Sequence, residues 1–187
     1  GLVAIVVISM FMGVDPSSIL QVVEQNTQSS SISVEQSATT AANDNARNFV
    51  AVVLAETEDV WNDVFQQAGR TYEEPKLVLF SEAVESACGM AGSATGPFYC
   101  PADHKVYLDL AFFEELHSRF GASGDFAQAY VIAHEIGHHV QTQLGIIQKV
   151  HELQSRTSKS EANKLNVKLE LQADCLAGMW AHQADKK

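Results

Sequence analysis

From residue 43 onward the chain alternates between two spacings of apolar side chains, and each change of spacing marks an element. In FVAVVLAETEDVWNDVFQQAG, Phe49, Val52, Val53, Leu54, Val60, Trp61, Val64 and Phe65 have helical spacing, which predicts a helix that Gly69 stops. Trp61 and Phe65 are expected to pack under a sheet. PKLVLF predicts a short strand, and GPFYC and KVYLDL, joined by the tight PADH connection, predict a hairpin. Helical spacing returns over 110–120. No proline follows Pro101, so three uninterrupted helices are expected over 125–144, 146–155 and 159–182, the last opened by a capping box of Ser158 and Glu161. The elements indicate one α+β domain without internal repeats.

The N-terminal part has a different texture. GLVAIVVISMFMG is apolar and uncharged but shorter than the about 20 apolar residues of a complete membrane-spanning helix. It is either the remnant of a transmembrane anchor, over residues 1–14, or the apolar core of a signal peptide. The usual small-residue cleavage pattern is not evident after Gly13, which favours the anchor. Residues 15–42 are rich in Ser, Gln and Thr and are expected to form a flexible linker to a folded domain over 43–187.

One predicted helix carries side chains out of keeping with burial. Residues 129–141 read AYVIAHEIGHHVQ, and His134 and His138, four apart, lie one turn above each other on one face. Two imidazoles can thus meet at one point, with Glu135 beside it, and HExxH on a helix is a zinc-hydrolase signature in which the glutamate acts as general base. The alternative is a pair of hydrogen-bonded core histidines and a surface charge. A catalytic zinc needs a third protein ligand. The segment KLELQADCLAGMWAHQ offers Glu170 and Asp174, again four apart, on a face with no Lys or Arg to relieve their repulsion. With Glu170 on the metal, Asp174 is placed to accept the outer N–H of a ligating histidine; otherwise the two acids form a solvated face.

Composition narrows the function classes. The chain has 187 residues, of which 46% are apolar, enough for one sizeable core. Its net charge of −11, from 12 basic and 23 acidic residues, argues against nucleic-acid binding, which needs Lys and Arg to displace counterions.

The segments GPFYCPADHKVYLDLAFFEEL, GDFAQAYVIAHEIGHHVQ and LELQADCLAGMWAHQ, in that order, resemble the putative neutral zinc metallopeptidase family of bacterial membrane-anchored proteins, from about residue 47 to the C-terminus. The resemblance implies a zincin-like α+β domain of the gluzincin kind, with a small, mostly antiparallel sheet on the HExxH helix and the Glu170 helix packed across it. It implies His134, His138 and Glu170 as Zn²⁺ ligands, Glu135 as the base, and hydrolysis of peptide bonds in a peptide or protein substrate by a metal-activated water. Members of that family begin with a short cytoplasmic segment and continue past this C-terminus, so the chain reads as a fragment, held at a bacterial cell membrane with its domain outside the cytoplasm. Two rival readings are a zinc-stabilised binding or scaffold module without turnover and another zinc hydrolase, such as an amidase. An intact Glu135 argues against the first, since a structural site needs no general base.

Cys88 and Cys100 bracket ACGMAGSATGPFYC, and outside the cytoplasm a disulfide is the simpler reading, contributing about 3 kcal/mol by closing the loop. Cys175 is expected to be buried against the core, with pairing to a cysteine in missing sequence left open. The strand tied by that disulfide could offer a sheet edge to an extended substrate. Gly137, inside the HExxH segment, has no side chain to obstruct a neighbouring backbone, which suggests close packing there.

Overall fold

The computed structural model describes residues 36–92, 95–112, 116 and 124–184, with side chains from residue 44 on. Helix α1 spans Gln36–Gln67, followed by strands β1 (Lys76–Phe80), β2 (Ala83–Ser86), β3 (Gly89–Gly92), β4 (Phe98–Cys100) and β5 (Lys105–Asp109), and by helices α2 (Asp125–Gln143), α3 (Ile146–Gln154) and α4 (Lys159–Ala184). Residues 110–112 are helical as expected. The apolar segment 1–14 lies outside the described residues, and so does most of the expected linker, whose last residues from Gln36 already belong to α1. Among the described residues no helix is long and apolar enough to cross a membrane.

The stop at Gly69 is real: its φ of 68° lies in the left-handed region, where a residue without Cβ is not strained. Gly145, at φ 74°, turns the chain in the same way from α2 into α3. At α4, the Ser158 hydroxyl accepts a hydrogen bond from the Glu161 N–H at 3.3 Å, one half of the expected capping box.

The sheet departs from the mostly antiparallel expectation. Its order is β1-β5-β4, with β1 parallel and β4 antiparallel to β5, while β2 and β3 form a separate antiparallel ribbon. The tight PADH connection makes β4 and β5 a hairpin, so β4 runs down and β5 runs up. The excursion through β2, β3 and β4 therefore returns the chain to the end where β1 began, and β1 can only pair in parallel. As the central strand, β5 has both faces covered: Val106, Tyr107, Leu108 and Asp109 are all buried. Cys88, just beyond β2, is bonded to Cys100 of β4, with an S–S distance of 2.07 Å, so the ribbon is tied to the sheet's edge.

Helix α2 is the centre of the molecule. It touches α1, α3, α4, β4 and β5 and buries Ile132, Ile136 and Val140 completely, at about 1.5–3 kcal/mol for each side chain. Trp61 and Phe65 are buried as expected, in one core cluster with Tyr99, Val106 and Leu108 of the sheet, while α1 as a whole packs mainly on α2 and α4. Cys175 is exposed, contrary to its expected burial. The buried positions of α4 are Leu169, Ala173, Ala177 and Trp180, and Cys175 stands two residues, about 200° of helix, from both Ala173 and Ala177. It lies instead on an outer ridge with the exposed Val167, Leu171 and Met179.

Candidate metal centre

Helices α2 and α4 pack closely, and one glycine permits it. A Cβ on Gly137 would stand 3.0 Å from the carbonyl oxygen of Ala173 and 3.2 Å from its Cα, so any side chain would push the helices apart. Ala173 lies between Glu170 and Asp174, so this contact brings the acids of one helix against the histidines of the other.

Nε2 of His134 and Nε2 of His138 each lie 3.4 Å from Oε2 of Glu170, and one donor atom from each residue falls within 4.8 Å of the others. Two ligand atoms about 2.0 Å from a tetrahedral zinc are about 3.3 Å apart, so two edges of this triangle already have the right length. The Nδ1 atoms are turned away and occupied. That of His134 lies 2.9 Å from Oδ1 of Asp174, and that of His138 lies 2.9 Å from Oε1 of Gln141. Each imidazole can therefore donate from Nδ1 and present a lone pair at Nε2, the form that suits a metal. Two imidazoles and one carboxylate with this orientation fit zinc.

Electrostatics agrees with a cation site. Burial works against protonation of His134, yet Glu170, Glu135 and Asp174 together outweigh it and raise the pKa to about 9. His138 is raised too, with burial again opposing and Glu170 and Glu135 favouring the charged form. Glu170 is held well below the usual carboxylate range by its contacts with His134 and His138. The negative potential at this spot thus calls for positive charge, which protons supply when no metal does. Glu135 is 9% exposed, and its charge acts on both histidines, so it stands beside the donor triangle. Access is one-sided: the side chains of His134 and His138 are 20% and 14% exposed, and that of Glu170 is 48% exposed.

The structure brings together His134, Glu135, His138, Glu170 and Asp174. Two neighbours escaped the reading of the sequence. Tyr130 places its hydroxyl 3.3 Å from Oδ1 of Asp174, and Gln141 contacts both His138 and α4. Their signal was spacing, since Tyr130 precedes His134 by four residues and Gln141 follows His138 by three, which puts both on the histidine face. His139 is a buried brace instead: its Nε2–H donates to the Glu73 carbonyl at 2.6 Å and its Nδ1 accepts from the Tyr99 hydroxyl at 3.1 Å, fixing the entry to β1 and the β4 edge against α2.

The chain is similar to known proteins along its whole length. The family profile described as putative neutral zinc metallopeptidase matches residues 1–187. The chain is 45% identical over 188 residues to the uncharacterized protein YpfJ of Escherichia coli, covering all of this chain and 63% of that protein. It is 38% identical over 180 residues to the uncharacterized proteins Mb2605 of Mycobacterium bovis and Rv2575 of Mycobacterium tuberculosis, covering 94% of this chain and 59% of each of them. The chain thus spans less than two thirds of these relatives. No solved structure matches it. With a profile matched from end to end, and with the histidines and glutamate of its HExxH helix gathered around a third donor, the chain belongs to the putative neutral zinc metallopeptidase family.

Proposed function

We propose that this chain carries the catalytic centre of a zinc-dependent endopeptidase. The observation that supports the reading best is the convergence of His134, His138 and Glu170, with both Nδ1 atoms tied away from the point where the three meet. These three residues hold the ion, and Asp174 and Gln141 orient the imidazoles. A zinc bound there supplies Lewis acidity toward the scissile carbonyl and lowers the pKa of its water to about 7. Glu135 takes a proton at its carboxylate and passes it to the leaving amine, and its burial beside the histidines keeps it within reach of the reacting atoms. Strand β4, at the edge of the sheet and packed on α2, can present backbone groups to an extended substrate. The disulfide supports placement outside the reducing cytosol, with residues 1–14 as a membrane tether.

Glu135→Gln keeps the ligands and removes the base. Metal analysis should find about one zinc per chain in both proteins, while cleavage of a denatured-protein mixture should occur only in the wild type. Equal turnover in both would reject the mechanism, and zinc without turnover in either would favour a structural centre.

A further inference from the structure

We infer that Gln141 is a positioning residue for two ligands at once: through its Oε1 it fixes the tautomer of His138, and through its Nε2 it holds the turn of α4 that presents Glu170. The inference rests on the reading of His138 and Glu170 as metal ligands. Gln141 is fully buried, on the α2 face turned toward α4. Its Nε2 donates to the Leu169 carbonyl at 2.8 Å and to Oε1 of Gln172 at 3.1 Å, while its Oε1 lies 2.9 Å from Nδ1 of His138.

The orientation of the amide follows from chemistry. A backbone carbonyl can only accept, so the –NH₂ must face Leu169 and the oxygen must face His138. An oxygen there can only accept in turn, so Nδ1 of His138 carries the hydrogen, and in the neutral ring Nε2 keeps its lone pair. The same amide is anchored one residue before Glu170, so the α4 end of the bridge fixes the ligand's backbone and the α2 end fixes its partner's ring. Asp174 fixes the ring of His134 in the same way, but with a charge. Gln141 does both without a charge. One turn earlier on α2, Gly137 lets the helices come close enough for a Cβ there to stand 3.0 Å from the Ala173 carbonyl oxygen.

The test reads the tautomer directly, by ¹⁵N NMR of histidine-labelled chain, metal-free and at alkaline pH where imidazole is neutral. Wild-type His138 should appear as the single Nδ1–H form. Gln141→Met has similar length and no hydrogen-bonding amide, so both tautomers should coexist, and zinc affinity against a competing chelator should fall about 10-fold to 100-fold. Gln141→Glu keeps the accepting oxygen and should retain the Nδ1–H form while losing the donors to α4, and it decides the question if the Met variant does not fold. A wild-type His138 spectrum in Gln141→Met, or loss of the Nδ1–H form in Gln141→Glu, would overturn the inference. Because the tautomer is read without metal or substrate, a wild type that binds no zinc yet shows the expected spectra would reject the metallopeptidase reading and the ligand roles with it, while Gln141 would still be shown to fix the His138 ring.

Discussion

Glu170 and Asp174 repel each other in the bare sequence and take different partners in the fold. Glu170 meets the Nε2 atoms of both histidines, whereas Asp174 meets the Nδ1 of His134 and the Tyr130 hydroxyl. Removing Glu170 takes away a donor, so Glu170→Ala should lose most zinc retention and all hydrolysis. Asp174→Asn should still fold and load, with affinity or turnover lowered about 10-fold to 100-fold. Titration of both variants against a chelator separates them, and a larger defect in Asp174→Asn would reverse the two assignments. These residues were legible because a four-residue interval has one geometric meaning on a helix. Tyr130 and Gln141 obey the same interval and were missed, since a tyrosine and a glutamine have many bland uses on a helix and their partners lie on α4, which spacing along α2 cannot reveal.

At the level of elements, the helices were the readable part. All three of the C-terminal helices lie within two residues of their expected bounds, because apolar period, the absence of proline and a cap agree. The parallel pairing of β1 with β5 was not legible, since strand direction depends on a path through β2, β3 and β4 that no local pattern encodes. The spacing between α2 and α4 depends on Gly137. Gly137→Ala should place a methyl against the Ala173 backbone and cost about 1–3 kcal/mol, read as a lower melting temperature together with weaker zinc binding; an unchanged melt would mean that the helices can separate freely. The disulfide joins two elements that share no strand pairing among the described residues, the β2–β3 ribbon and β4. In material from an oxidising compartment, Cys88 and Cys100 should resist alkylation until reduced, while exposed Cys175 reacts at once. Free thiols at both positions would reject the bridge and the extracytoplasmic placement with it.

For the molecule as a whole, the centre links stability to pH. Without metal, His134 has a folded-state pKa of about 9 against an ordinary 6.5, so the folded chain binds its proton more tightly than the unfolded one. That stabilisation is complete below pH 6.5 and is lost as pH rises through 9. Glu170, lowered from 4.5 by the same histidines, gives the opposite limb, lost as acid protonates it. The melting temperature of the metal-free chain should therefore fall by several degrees between pH 6.5 and 9, whereas zinc-loaded protein, which needs neutral imidazoles, should hold level or rise over the same interval. A metal-free melting curve unchanged across that interval would show that the cluster does not take up its proton on folding. The half-exposed carboxylate of Glu170 has a kinetic meaning as well. With zinc bound as proposed, a small chelator would be able to add its own donor atom beside Glu170 before either histidine let go, so the ion would not need to wait for the fold to open. Its residence time would then be set by which competing ligands surround the protein and at what concentration, and exchange would proceed by handover between partners.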